Sequence, residues 1–178
     1  ASVVAMTMYD MLKPIDKEIE IGEIKLLLKK GGKSDFNDRH LPKIKAAVVV
    51  CSDTISAGKK EDKAGITIVE KLKSYKLDDV AYTVIADEKA EIQNAVKFYL
   101  ADGCNLIIFT GGTGLSARDV TPEAIEPMLE RRIPGMEEAI RNYGQNRTPY
   151  AMLSRSLMGT IGKTLVLALP DSTNGAKE

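Results

Sequence analysis

Gly111, Gly112, Thr113 and Gly114 follow directly on the apolar run Ile107-Ile108-Phe109-Thr110, and Ser116, Arg118 and Asp119 come just after them. β-Branched and aromatic residues ahead of the glycines read as a buried strand. Glycines let a backbone approach a ligand and take positive φ, so that successive amides converge on an anion. Thr121-Pro122-Glu123 then reads as a helix start, with Thr121 as cap, Pro122 at the first helical position and Glu123 near the positive end of the dipole. Strand, polar loop and capped helix together suit phosphate binding; a tight strand-to-helix turn without a ligand fits the same residues equally. A P-loop would need Lys followed by Ser or Thr after the glycines, where Leu115 and Ser116 stand. The dinucleotide fingerprint matches the spacing of Gly112, Gly114 and Ala117, but it also needs a strand ending in an acidic residue roughly 20 residues on. Glu130-Arg131-Arg132-Ile133-Pro134-Gly135 occupies that window and does not read as a strand. Both loop types are rejected.

The elements that must position this loop alternate regularly. Residues 45–50, 80–85, 106–109 and 164–169 are apolar and strand-like, while 62–75, 91–101, 125–129 and 137–143 carry helical spacing. The alternation implies right-handed βαβ units: an α/β, doubly wound, mostly parallel sheet with helices on both faces. Each strand is followed by a polar cluster: Ser52 and Asp53, then Asp87, then the glycine loop through Asp119, then Asp171 through Asn174. In an open parallel sheet the carboxyl ends share one rim, and ligands bind there. Asp87 and Asp119 are then placed to share one Mg²⁺ beside phosphates on the glycine loop, because Mg²⁺ usually takes one or two carboxylates plus phosphate oxygens. Taken singly, each Asp reads equally as a helix cap.

Ahead of this region lies a different pattern. Val3, Val4, Met6, Met8, Met11 and Leu12 make residues 2–13 a predicted helix, on which Asp10 and Lys13 share a face as a surface ion pair. Ile19, Ile21, Ile24, Leu26 and Leu28 alternate as a strand or bent pair of strands, and residues 29–39 are charged, glycine-containing and aperiodic, as in a linker. So small a set cannot bury enough surface to be a domain. It reads as a partial α+β arm, extended and poorly packed, the tail of something larger. The expected division is an arm over 1–36, a linker over 37–43 and a main domain over 44–178. Both ends read as cut: there is no initiator Met, and Gly175-Ala176-Lys177-Glu178 reads as the opening of a helix.

Composition narrows the classes further. At 178 residues there is material for one good core, and 25 basic residues balance 25 acidic ones, so no global field draws in nucleic acid or an anionic membrane. No apolar run reaches the length of a membrane span, and no signal peptide is visible. Cys51 and Cys104 lack metal-ligand spacing and read as small core residues of a reduced, cytoplasmic protein.

The segment from Thr110 through Gly114, with Arg118-Asp119-Val120-Thr121-Pro122-Glu123-Ala124, resembles the signature of the molybdopterin adenylyltransferases of molybdenum cofactor biosynthesis. Ser52, Asp53, Ser56, Gly58, Asp62 and Gly65 match that family's first-strand motif, Ile85-Ala86-Asp87-Glu88 its second acidic site, and Leu153-Ser154-Arg155-Ser156 and Leu169-Pro170 also align. The resemblance covers roughly residues 44–178. It implies that ATP adenylylates the terminal phosphate of molybdopterin with Mg²⁺, that Asp87 and Asp119 are the essential metal-binding carboxylates, and that Gly111, Gly112, Thr113, Gly114, Ser116, Arg118, Ser52, Asp53 and Ser154 bind the substrates. It also implies a trimer or hexamer, with other enzymes of the pathway as further partners. The family usually carries Gly where Asp171 follows Pro170. Any side chain at Gly112 is expected to block the phosphates while leaving the fold near its normal stability.

Ala5 through Lys13, Ile21-Gly22-Glu23-Ile24 and Lys30-Gly31-Gly32-Lys33-Ser34 resemble the C-terminal end of cyclic pyranopterin monophosphate synthase, an earlier enzyme of the same pathway. That resemblance gives Asp10 and Lys13 catalytic roles and implies a fusion of two pathway enzymes, with synthase activity only in a longer chain. Two other readings share the glycine loop: a non-catalytic molybdopterin-binding or scaffold module, and a molybdenum insertase-like domain.

Overall fold

Ala46–Cys51 (β1) is buried at every residue, as befits a β-branched run hydrogen-bonded on both sides and covered on both faces. The structure is a computed structural model describing residues 2–22 and 43–172. It divides into two compact units, Ala1–Leu41 and Pro42–Glu178.

In the second unit β1 pairs in parallel with Val80–Ile85 (β2) on one side and Leu106–Thr110 (β3) on the other. Thr164–Leu169 (β6) continues the parallel set beyond β3. Leu157–Ile161 (β5) then runs antiparallel to β6, and Arg131–Arg132 (β4) antiparallel to β5, giving the order β2-β1-β3-β6-β5-β4. The doubly wound, mostly parallel sheet expected from the alternation is therefore present, with an antiparallel extension at one edge. Alternation along the strands sends side chains to opposite faces. Ala47, Val49, Ile107, Phe109, Val166 and Ala168 pack with Ile92, Val96 and Tyr99 of Lys89–Ala101 and with Ala124 and Ile125 of Thr121–Ile125. Val48 and Ile108 pack on the other face with Ile68, Val69 and Leu72 of Ala64–Ser74. The helices are Ser2–Leu12 (α1), Asp53–Ser56 (α2), Ala64–Ser74 (α3), Lys89–Ala101 (α4), Thr121–Ile125 (α5) and Pro134–Gln145 (α6). Cys51 and Cys104 are both buried and free.

Three expectations need correction. Residues 131–132 do form a strand, but its two exposed residues pair antiparallel with β5 at the sheet edge. A dinucleotide fold needs a parallel strand there, so that fingerprint still fails. β5 was not expected; its signal is the two-residue hairpin Gly162-Lys163, in which Gly162 has φ +56. Within the first unit α1 matches the expected helix, but residues 18–22 are not a strand. The chain turns there instead, with the Asp16 carboxylate accepting from the Glu18 amide at 2.9 Å, because an alternating run becomes a strand only beside a partner. The remainder of that run and residues 29–39 lie outside the described residues.

The start of α6 is tied to β5 by one buried carboxylate. Glu137 is 2% exposed. Its Oε1 accepts from the Met158 amide at 3.1 Å and its Oε2 from Arg132 Nη2 at 2.8 Å, with Arg141 Nη2 at 3.9 Å. Burial pushes the carboxyl up, but Arg132, the Met158 amide and Arg141 outweigh it and hold the carboxyl below its ordinary 4.5. Its stabilising contribution is thus complete above that ordinary value and is lost as pH falls through the lower native value. Glu137→Ala should cost about 2 kcal/mol at pH 7, the loss of partly exposed charge-assisted bonds. Urea unfolding at pH 7 and pH 3 should show the gap between the variant and the wild type narrowing at the lower pH.

Candidate functional site

Doubly wound sheets open a crevice where the chain reverses its strand order, at the carboxyl ends. Here the reversal falls between β1 and β3, so Ser52 and Asp53 on one side face the glycine loop on the other. Ser52 is extended at φ −164 and caps α2, its Oγ accepting from the Ile55 amide at 3.4 Å. This cap turns Asp53 toward the end of β2. Asp53 and Asp87 then clasp one another: the Asp53 amide donates to Asp87 Oδ2 at 3.1 Å, and the Asp87 amide donates to Asp53 Oδ1 at 3.0 Å. Arg118, from the loop after β3, completes the cluster. Its Nε and Nη2 reach Asp53 Oδ2 at 3.1 and 2.5 Å, and its Nη1 reaches Glu88 at 2.9 Å.

These contacts separate two like carboxyls. The Arg118 hydrogen bonds, then the Asp87 amide, hold Asp53 below the usual range, whereas burial pushes Asp87 up, helped by the charges of Asp53 and Asp119 and opposed by the Asp53 amide and Arg118. Asp87 Oδ1 is buried without a hydrogen-bond partner among the described residues. Asp119 belongs to the same field but is built into the glycine loop, where its Oδ2 accepts from the Ser116 amide at 2.8 Å. The Ser116 Oγ in turn accepts from the Arg118 amide at 3.3 Å.

The glycines are required for different reasons. Gly111 has φ +104, and a Cβ there would run into the Cys51 carbonyl; its amide donates to Leu169 O at 3.0 Å, which removes it from the set open to an anion. The amides of Gly112, Thr113 and Gly114 donate to no other group among the described residues. Gly112 has φ +62, and a Cβ there would strike Thr121 Oγ1 and come within 3.2 Å of Asp87 Oδ1. A side chain at Gly112 therefore disturbs the fold itself, contrary to the expectation of normal stability. Thr121 also departs from expectation. Val120 is the cap residue of α5 and makes no side-chain cap, while Thr121 lies inside the helix and is fully buried, its hydroxyl beside the Cys51 thiol. Burial pushes the adjacent Cys51 thiol up to about 12, with Thr121 opposing and the Asp87 charge adding.

Arg155 is the residue that sequence reasoning left out of the site. Its amide donates to Thr113 O at 3.2 Å, its Nε to Gly114 O at 2.7 Å and its Nη2 to Asp119 O at 2.6 Å, and its Nη1 pairs with Glu123. One residue thus holds the loop at Thr113 through its amide and at Gly114 and Asp119 through its side chain. Its sequence signal is its place in Leu153-Ser154-Arg155-Ser156, beside the expected site residue Ser154; that serine shares a hydrogen bond with Ser156 Oγ at 2.8 Å. Arg155 and Glu123 also form the wall between two clefts. One, of about 340 Å³, includes Ser116 and Asp119; the other, of about 260 Å³, includes Arg132 and Arg141. Asp10 and Lys13 pair at 2.7 Å on the exposed face of α1, in the first unit.

No cluster of three or more metal-ligating side chains occurs among the described residues. A two-carboxylate set still suits Mg²⁺, which keeps waters and takes substrate phosphate oxygens for its other positions. The orphaned oxygen of Asp87 and its proximity to Asp119 fit that requirement.

The sequence profile of a family described as "Probable molybdopterin binding domain" matches residues 47–178, and that of the "MoaC family" matches residues 1–32. A "Molybdenum cofactor biosynthesis bifunctional protein" of Chlorobaculum tepidum is 41% identical over 99% of this chain and 56% of its own length. The chain thus spans little more than half of that relative. "Molybdenum cofactor biosynthesis protein B" of Staphylococcus aureus is 38% identical over 75% of this chain and 81% of its own. The crystal structure of the molybdopterin biosynthesis enzyme MoaB of Thermus thermophilus superposes with a TM-score of 0.70 at 36% identity, over 75% of this chain and 85% of that one. No helix among the described residues is long and apolar enough to cross a membrane.

Removing Arg155 should free the glycine loop without opening the sheet. In Arg155→Ala, hydrogen exchange of the bonded loop amides, those of Ser116, Arg118 and Asp119, should rise at least about tenfold, the loss of more than 1 kcal/mol of local protection. Residues of β1 and β3 should keep their protection. Gly112→Ala should cost about 2 kcal/mol in urea unfolding, because a left-handed backbone and a buried hydroxyl both oppose the new methyl group.

Proposed function

The chain belongs to the probable molybdopterin binding domain family of molybdenum cofactor biosynthesis, and from that membership we propose that its rim adenylylates molybdopterin with ATP. A terminal phosphate oxygen of molybdopterin attacks the α-phosphorus of ATP. The bond from that phosphorus to the bridging oxygen breaks, and pyrophosphate leaves with the electron pair. No general base is needed, because the nucleophile is already an anion; the protein must align two anions and offset their charge.

The observation that carries this reading is the meeting of two carboxylates at the switch point with three loop amides that donate to no group among the described residues. Gly112, Thr113 and Gly114 present their amides to phosphate oxygens, and Arg155 keeps that backbone in place. Arg118 stands beside them, exchangeable between its carboxylates and an incoming phosphate. Asp87 and Asp119 would hold Mg²⁺, which when bound neutralises charge on the phosphates. In the same reading α1 belongs to a cyclic pyranopterin monophosphate synthase portion, with Asp10 and Lys13 among its catalytic groups. The assembly is a homotrimer or hexamer of the cytoplasm, and a monomer by light scattering would count against that part.

Asp87→Asn and Asp119→Asn keep side-chain size and remove charge. Each should lose at least about 100-fold in turnover, close to 3 kcal/mol of transition-state stabilisation. Molybdopterin binding should survive in both. Pyrophosphate release, measured with molybdopterin and Mg-ATP, provides the test. Binding of both substrates by the wild-type chain with no pyrophosphate released would leave a binding module instead, and normal turnover in either variant would remove that carboxylate from the metal site.

A further inference from the structure

Parallel strands exchange bonds in a fixed alternation. A residue whose amide donates to a carbonyl of its neighbour accepts, at its own carbonyl, from the amide two residues further along that neighbour. β1 and β2 keep this register as far as Cys51 and Ile85, and the Ser52 amide still donates to Ile85 O at 3.0 Å. The next rung would carry the Asp87 amide to Ser52 O. That carbonyl is spent elsewhere, because Ser52 caps α2 and its O accepts from the Ser56 amide at 2.9 Å. The Asp87 amide donates instead to Asp53 Oδ1 at 3.0 Å. A side chain has taken the place of a backbone acceptor at the point where the ladder ends. The exchange is returned, the Asp53 amide donating to Asp87 Oδ2 at 3.1 Å. The other carboxylate oxygen of Asp53 is engaged by Arg118. Both oxygens of Asp53 are thus already engaged within the protein, whereas Oδ1 of Asp87 has no hydrogen-bond partner among the described residues.

We infer that Asp53 is a positioning residue: its carboxylate supplies the rung that fixes the Asp87 backbone, its amide fixes Asp87 Oδ2, and together they present Asp87 Oδ1 to a divalent cation. The inference rests on the reading of Asp87 as a cation ligand, and it takes Asp53 out of direct contact with the substrates. It accounts for Ser52 and Asp53 as a pair: the first opens α2 and so withdraws a carbonyl from the ladder, and the second replaces it. It also gives Arg118 a part in this arrangement, since a guanidinium on Oδ2 keeps the Asp53 carboxylate from turning away from the Asp87 amide. The rung needs an acceptor at Oδ1 and not a charge. Outer hydrogen bonds of this kind orient a ligating carboxylate, and their loss usually lowers metal affinity about 10- to 100-fold.

The test uses the 178-residue chain. Asp53→Asn keeps an acceptor for the Asp87 amide and removes the charge, whereas Asp53→Ala removes both. Wild type and Asp87→Asn are measured alongside. Exchange of the Asp87 amide is read by NMR, and the affinity for protein-bound Mn²⁺ by electron paramagnetic resonance with a non-hydrolysable ATP analogue present. In Asp53→Ala the Asp87 amide should exchange at least about tenfold faster, and Mn²⁺ should bind at least about tenfold more weakly. Asp53→Asn should keep the wild-type exchange at Asp87 and the wild-type Mn²⁺ affinity. An Asp53 that met the cation by its own charge would lose Mn²⁺ in both variants. Loss of Mn²⁺ in Asp53→Asn with the Asp87 amide still protected therefore overturns the positioning role, whether or not Asp53→Ala folds. Loss of both in Asp53→Asn keeps the role, because affinity still follows the rung. If Asp87→Asn loses Mn²⁺ while Asp53→Ala binds it as the wild type does, the role of Asp53 is overturned and the metal site stands. If Asp87→Asn binds Mn²⁺ as tightly as the wild type, the metal reading falls and takes this inference with it.

Discussion

β1 is hydrogen-bonded on both edges and buried on both faces, and the rim depends on that constraint. A strand with two parallel neighbours must send the chain to one side and then back across to the other. At the reversal the loops leaving β1 and β3 diverge, and a crevice opens between them. The backbones are closest at its floor, where the Cys51 carbonyl leaves no space for a side chain on Gly111. One residue further out, the divergence leaves amides with no partner among the described residues. The site is thus a consequence of sheet topology before any side chain contributes to it.

Charge then has to be managed in that crevice. Asp53, Asp87, Glu88, Asp119 and Glu123 gather around the loop, against Arg118 and Arg155. Each guanidinium is divided between groups, Arg118 between two carboxylates and Arg155 between a carboxylate and two carbonyls. Planar, forked donors are suited to such bridging. The result is uneven. Asp53 is held low by Arg118, while Asp87 is raised and keeps one oxygen without a partner among the described residues. Glu137 provides the contrast within the same unit, a more deeply buried carboxylate whose oxygens are both engaged. One carboxylate fastens a helix to a strand, and the other is left with capacity for a ligand.

Hydrophobic periodicity was enough to place the parallel strands and the longer helices, because a strand buried on both faces and an amphipathic helix each write their period into consecutive residues. The polar clusters were legible for a similar reason: in this topology every parallel strand ends at the same rim, so chain order alone gathers Asp53, Asp87, Gly112 and Asp119. The resemblance carried by the glycine loop and its Arg118-Asp119 extension pointed to the family. Local sequence also contained the hairpin at Gly162, though β5 beside it was not recognised.

Tertiary structure decided the rest. A two-residue strand of arginines has no period and exists only because β5 offers it a partner. Thr121 carries the chemistry of a helix cap, yet α5 begins one residue earlier and buries its hydroxyl against Gly112. Arg155 is 36 positions from Asp119 and reaches it only because β5 and the turn before it fold back beside the loop. The sequence determined which residues would line the rim, since strand period and chain order are local properties. Which oxygen is satisfied, which amide is spent on β6 and which cation holds the loop depend on distances between residues far apart in the chain, and only folding sets those.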